Sequence, residues 1–137
     1  MGRIYSIVYQ GTITNAGGNV DLLELLPADD KPVKLRGLLL SQTSEVGDAA
    51  EEGLRITIKR FQTPTSGSGG SSVTPRAMDS ADAAAGVAAE CANTTVATDA
   101  GTTQTLAELA WNIRQSPYEM WFPEERFCPK AKQGEAL

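Results

Sequence analysis

The side chains able to do chemistry in this chain are carboxylates, two thiols and a few aromatics; there is no histidine. Without an imidazole the chain has no Ser-His-Asp or Cys-His nucleophile, and none of the histidine metal clusters of cupin-type barrels. Cys91 and Cys128 are far apart and lack CxxC spacing, so zinc-knuckle and thioredoxin-like readings fail. Two buried thiols in a reducing compartment are the expectation. Asp29 and Asp30, in the loop PADDKP, could touch a cation. Calcium would need more oxygen ligands at an ordered spacing, so a solvated acidic turn is expected instead. Glu45, Asp48, Glu51 and Glu52 permit a paired-acid glycosidase reading. Adjacent carboxylates on one exposed turn do not flank a substrate, however, and a solvated connection is preferred. Asp48 would cap a helical turn over Ala49, Ala50, Glu51 and Glu52. Gly67, Gly69 and Gly70 make no phosphate loop, because no Gly-Lys-Ser/Thr follows them. Asn93-Thr94-Thr95 matches a glycosylation sequon, read as chance in the absence of a secretion signal. No catalytic, cofactor-binding or metal-binding residue is assigned.

Binding chemistry has two candidates. Trp111, Trp121, Tyr118 and Phe122 could form an aromatic platform for a sugar or a partner, but with so few aromatics in the chain a core role is favoured. Arg55, Lys59 and Arg60 form a basic strand face. It reads as solvated, with an oligomer contact as the competitor and Glu51, Glu52 or Glu90 as possible counter-charges.

These residues must be positioned by strands. The stretch Val33–Arg60 reads as two long strands around the acidic connection Ser44–Glu52. In the first, Leu35, Gly37 and Leu39 lie on one face and Leu38 and Leu40 on the other, which predicts burial on both sides. In the second, Leu54, Ile56 and Ile58 alternate with Arg55, Thr57 and Lys59, the mark of a half-buried strand. Before this pair, Arg3–Thr14 reads as a first strand region bent at Gly11, residues 15–19 as a turn and Val20–Leu26 as a strand. After it, TPTSGSGGSSVTP (Thr63–Pro75) reads as a flexible surface loop. Arg76–Gly86 reads as a loop or one short helix, followed by a strand at Val87–Ala92. Thr94–Thr103 reads as another small-residue loop. Gln104–Gln115 reads as a strand, with an amphipathic helix carrying Leu106, Leu109, Ala110 and Ile113 on one stripe as the alternative, and after the Ser116-Pro117 turn Tyr118–Phe122 reads as a strand. Gly134-Glu135 then opens a strand at Ala136-Leu137, which leaves an edge unpaired unless a neighbouring subunit covers it or the chain is a shortened form.

Length and charge bound the rest. At 137 residues the chain is one domain, 1–137, with room for a core. Its net charge of −5, without a basic run, argues against nucleic acid as a partner. The first residues, MGRIYSIVYQG, lack the apolar run of a signal peptide, and no stretch has the length of a membrane helix. The expectation is a protein made in, or assembled in, a cytosol, with no membrane partner and no cofactor. The fold class expected is an all-β, jelly-roll-like antiparallel β-sandwich with long Gly/Ser/Thr-rich loops.

Several strings carry a resemblance: QTSEVGDAAEEGLRITIKR (Gln42–Arg60), TSGSGGSSVTPRAMD (Thr65–Asp79), AECANTT (Ala89–Thr95), PEERF (Pro123–Phe127) and GEAL (Gly134–Leu137). Together the chain from Leu22 to Leu137 resembles a family of small β-sandwich proteins of tailed phages, the capsid decoration or cement proteins. The resemblance implies a virion protein on the capsid exterior, assembled in the host cytoplasm. It implies binding to the major capsid protein, trimer formation and no catalytic residue. It also implies a final pair of strands beyond GEAL, which this sequence lacks. A symmetric oligomer spanning several capsomers suits a symmetric lattice, and many weak contacts add up there. Two rival expectations are a carbohydrate-binding module of a phage fibre or spike, and a hydrolase using Asp and Glu.

Overall fold

The computed structural model describes residues 2–13, 18–43, 53–112 and 117–137. The protein is all-β, and every ladder is antiparallel. In chain order the strands are β1 (Tyr5–Ser6), β2 (Asp21–Pro27), β3 (Val33–Lys34), β4 (Gly37–Leu40), β5 (Gly53–Arg60), β6 (Pro64–Thr65) and β7 (Ser71–Ser72). They continue with β8 (Arg76–Ala77), β9 (Val87–Asn93), β10 (Thr98–Asp99), β11 (Gln104–Asn112), β12 (Tyr118–Trp121) and β13 (Lys130–Ala131). A 3-10 turn at Glu125–Phe127 is the one helical element among the described residues.

Two ladders carry the body. β5 pairs with β11 over its whole length, with a bulge between Thr105 and Ala107. β2 pairs with β9, and β9 takes β7 on its other edge. The shorter ladders are β1–β8, β3–β13, β4–β12 and β6–β10. Alternation explains what each long ladder buries. Ile56 and Ile58 point inward on β5, joined by Trp111 from β11. Leu25 on β2 stands opposite Ala89 on β9, and both are buried. The remaining core is small: Cys91, Ala92, Ala97, Cys128, Ala131 and Ala136.

Several expectations are corrected. The two strands of Val33–Arg60 do not pair with each other. β4 takes the aromatic strand β12 and β5 takes β11, both distant in sequence. Periodicity sets which way side chains face, but not which strand lies alongside. Nor is β4 buried on both sides, since Leu39 is 56% exposed. The β4–β12 ladder is covered on one face only at that position. Among the described residues of the first strand region only Tyr5–Ser6 is strand, paired with β8. Of the two readings of Arg76–Gly86, loop or short helix, the loop holds after β8: the Asp79 side chain accepts the Ala81 N–H at 2.9 Å and closes a turn. Asp48 and the rest of the acidic connection lie outside the described residues, as do Ile113–Ser116.

The Gly/Ser-rich segment is on the surface, as expected, but it is tied down along its length. Thr65 pairs with Thr98, Ser68 exchanges backbone hydrogen bonds with Thr95, and Ser71 and Ser72 extend the β9 ladder. The Val73 N–H then donates to Ala89 O at 2.9 Å. Small side chains are needed here for packing. A Cβ at Gly67 would lie 2.6 Å from Thr95 O and 2.8 Å from Asn93 Nδ2.

The edge expected to stand open at Ala136-Leu137 is paired on both sides. Ala136 exchanges backbone hydrogen bonds with Phe61, at 2.9 and 3.1 Å. Leu137 does the same with Leu25, at 2.8 and 3.1 Å. Because a strand offers its hydrogen bonds alternately to left and right, this dipeptide joins the β2–β9 sheet to the end of β5. Ala136 is buried where the two meet. Ala136→Asp should therefore lower the unfolding free energy by about 3 kcal/mol or more, since it places an unpartnered carboxylate at a closed seam. Urea denaturation followed by tryptophan fluorescence measures this.

Candidate functional site

The four aromatics, for which a core role is favoured over a platform, are divided by the fold, and Trp121 departs from the core expectation. Trp111 is 7% exposed and belongs to the core, as favoured from the sequence. Trp121 is 59% exposed. Its ring covers Gly37, its cross-strand partner, where a Cβ would collide with it. Its indole N–H reaches Glu119 at 3.4 Å. Tyr118 and Phe122 are half-buried. The two tryptophans thus do not share a binding surface.

The basic strand face is also divided. Arg55 pairs with Glu108 across the β5–β11 ladder at 2.7 Å, on the exposed face. Arg60 turns away and donates to Gln104 and, at 3.3 Å, to the Lys130 carbonyl. Glu90 is not a counter-charge for this face; it accepts a hydrogen bond from Asn93.

Arg60 leads to a site that no single stretch of sequence announces. Pro123 ends β12, and the chain tightens into the 3-10 turn, with Phe127 N–H bonded to Glu124 O and Cys128 N–H to Glu125 O. Beyond the turn, Pro129 and β13 run beside β3, where Leu35 N–H donates to Pro129 O at 2.9 Å. The result is an open depression of about 790 Å³. Lys34, Arg60, Arg126 and Lys130 line it, with Leu106, Phe122 and Phe127 between them. Cys128 is buried at its base, with Arg36 Nη1 at 3.7 Å from its sulfur.

Electrostatics makes this surface unlike the rest of the molecule. Lys34 and Lys130 face each other directly across β3–β13, a repulsive pair. Glu125 relieves it by bonding to Lys34. The Glu125 carboxyl is held below its ordinary value by that hydrogen bond, with the Lys34 charge and those of Arg36 and Lys130 adding to it. Arg126 is tied to Glu124 at 2.7 Å and lies over the Phe127 ring, 4.9 Å from its centre. Five cations therefore gather against two carboxylates on a chain whose net charge is −5. Phe127 is 58% exposed and Leu106 is also open to solvent. An apolar floor with a cationic rim suits a partner surface that presents carboxylates around an apolar patch. The sequence hides this site because its members come from β3, β5, β11, the turn and β13.

Asp29, one of the acidic pair considered for a cation, accepts from Gln133 Nε2 at 2.6 Å in an exposed loop. Glu24 and Glu90 stand opposite each other on β2 and β9, but they are covered by residues 67–72 and flank no cleft. No group of three His, Cys, Asp or Glu side chains among the described residues is arranged to hold a metal. Cys91 and Cys128 are both buried and free. Asp99 is a structural carboxylate. Partial burial would raise its value, but the N–H groups of Thr63, Gln62 and Gly101 and the Thr103 hydroxyl outweigh that and hold it low.

A comparison with protein families, with curated proteins and with solved structures finds no match for this chain.

Two predictions follow from this geometry. Trp111→Ala should cost roughly 3–5 kcal/mol of stability, whereas Trp121→Ala should cost under about 1 kcal/mol, as read by urea denaturation. The second concerns pH. Asp99 and Glu125 have lowered values, so their stabilisation is present above the ordinary carboxylate range and is lost as pH falls through the lowered ones. Asp21 is raised by burial, against the Ala97 N–H and the Lys59 charge, so its contribution has the opposite sign and declines as pH rises. Thermal midpoints should therefore fall below about pH 4, and Asp99→Asn should flatten that decline.

Proposed function

We propose that the chain is a structural virion protein of a tailed phage that decorates and cements the capsid exterior. In this reading it is assembled in the host cytoplasm, forms a symmetric homotrimer and binds the major capsid protein. It does so without catalysis. One observation carries the reading. Among the described residues the chain exposes nine large apolar side chains (Ile4, Val8, Ile13, Leu39, Leu54, Met78, Leu106, Trp121 and Phe127) and buries four (Leu25, Ile56, Ile58 and Trp111). A chain with that balance is expected to cover part of its surface with protein.

Five of the exposed residues fall in two regions with different chemistry. Ile4, Val8 and Met78 belong to the β1–β8 region, held to the body by Arg3–Asp82 and by the Tyr5 hydroxyl donating to Ala83 O. We assign this apolar region to contacts between copies. The cationic depression with Leu106 and Phe127 suits an acidic capsid surface instead. The tests are separable. Light scattering at micromolar concentration should give a trimer mass, and Val8→Asp with Met78→Asp should shift it to monomer. Phe127→Asp should reduce co-sedimentation with capsids by at least about tenfold while leaving the trimer intact. A monomer that also fails to sediment with capsids would remove the proposal. The exposed Trp121 favours a second reading, a carbohydrate-binding module of a fibre or spike. Glycan binding lost in Trp121→Ala, with stability kept, would favour it.

A further inference from the structure

The cations of the depression beside the 3-10 turn are not equivalent. Lys34 and Arg126 each hold a carboxylate that comes from the turn itself or its cap: Glu125 on Lys34, and Glu124 on Arg126 at 2.7 Å. Arg36, Arg60 and Lys130 form no ion pair among the described residues. Arg60 meets only neutral acceptors, the Gln104 amide and the Lys130 carbonyl, and Arg36 stands at the Cys128 sulfur. Wherever a cation of this surface has a charged partner, that partner is a carboxylate. Three positive charges are left over.

These groups converge on one wall. Lys34 and Lys130 are directly opposite in the β3–β13 ladder, and Arg60 reaches over β13 to the Lys130 carbonyl at 3.3 Å. Backbone pairing fixes their spacing, so they stay together despite their repulsion. Lys34, by hydrogen bond and by charge, and then Arg36 and Lys130 hold the Glu125 carboxyl below its ordinary value. Another carboxylate in that position would meet the same field.

Glu125 is held there lightly. Its side chain is 69% exposed and lies over the less exposed Lys34 from the solvent side. The turn that carries it buries no residue and has no side-chain cap. Two backbone bonds, Phe127 N–H to Glu124 O and Cys128 N–H to Glu125 O, close it. Exposed ion pairs are weak, so replacing one carboxylate by another on Lys34 costs little. Beside the exchange point, Phe127 and Leu106 are open to solvent.

We propose that Glu125 occupies the place of a partner's carboxylate and acts as a built-in competitor. The depression takes an acidic protein segment. One carboxylate of that segment displaces Glu125 from Lys34, others reach Arg60 and Lys130, and an apolar side chain covers Phe127 and Leu106. The inference rests on the reading of this depression as the surface that meets an acidic partner, and adds its regulation. Lys34 is open to a partner only for the fraction of time that Glu125 is away, and apparent affinity falls by that fraction. A ligand with a single carboxylate competes poorly against a tethered one, whereas a segment with several gains from the unpaired cations.

The test uses the full chain and a fluorescein-labelled Glu-Glu-Leu-Glu-Glu peptide, followed by fluorescence anisotropy. The wild-type chain should bind this peptide and not its Gln-Gln-Leu-Gln-Gln counterpart. Glu125→Gln should tighten binding by at least about threefold, and Lys34→Gln should weaken it by at least about threefold. In the Lys34→Gln background, Glu125→Gln should bring no gain. Asp29→Asn makes the same change in net charge in an exposed loop outside the depression and should leave binding unchanged. Absence of binding by both the wild type and Glu125→Gln overturns the proposal. So does a gain that Asp29→Asn reproduces, or one that survives Lys34→Gln. Co-sedimentation with capsids separates the two readings: capsids bound without any peptide binding overturn this inference alone, and peptide bound without capsids overturns the capsid reading alone.

Discussion

The structure turns on one amide. Asn93 sits at full burial and gives one hydrogen to a carboxylate on β2 and the other to a carboxylate on its own strand. A buried polar group is tolerated only when its bonds are made, so its neighbours are constrained in turn. Ala92 must leave the extended region, Gly67 and Gly70 must lack side chains, and the Gly/Ser segment must lie flat over the node. The same constraint fixes the β2–β9 register, because Glu24 must come opposite Glu90. A slip of one residue would send the carboxylate to the other face.

Around that node the body is assembled from short ladders rather than from one continuous core. β5–β11 and β2–β9 are each half of a structure. What joins them is backbone: Phe61 to Ala136, and Leu137 to Leu25. The depression by the 3-10 turn is built in the same way, from segments that meet only through β3–β13 and the bonds of Leu35 and Phe122 to their neighbours. Its cations are therefore held by the fold at a spacing that mobile lysines on a loop would not keep.

Part of this was legible in the sequence. Strands are expected over Val20–Leu26, Val87–Ala92, Gln104–Gln115 and Tyr118–Phe122 and around Leu54–Lys59, and strands lie at Asp21–Pro27, Val87–Asn93, Gln104–Asn112, Tyr118–Trp121 and Gly53–Arg60, with residues 113–115 outside the described ones. Trp111 as core follows from the scarcity of aromatics, an expectation that the exposed Trp121 does not meet. Pairing was not legible, since β4 with β12 and β5 with β11 are contacts between distant segments that periodicity does not encode. The Gly/Ser stretch misleads because small residues serve close packing as well as freedom, and only the buried Asn93 beneath distinguishes the two. The basic site was invisible for a different reason: Lys34, Arg36, Arg60, Arg126 and Lys130 are scattered singly or in pairs, and net charge averages them away.

The alanines of the core have a thermal consequence. Heat capacity rises on unfolding in proportion to the apolar area newly hydrated. Ala89, Ala92, Ala97, Ala131 and Ala136 contribute little of that area compared with leucine or phenylalanine. The isolated chain should therefore have a shallow stability curve, changing slowly over a wide span of temperature and resisting loss of structure in the cold. Any association that covers the exposed apolar residues would add curvature, so the temperature of greatest stability becomes a property of the assembly more than of the chain.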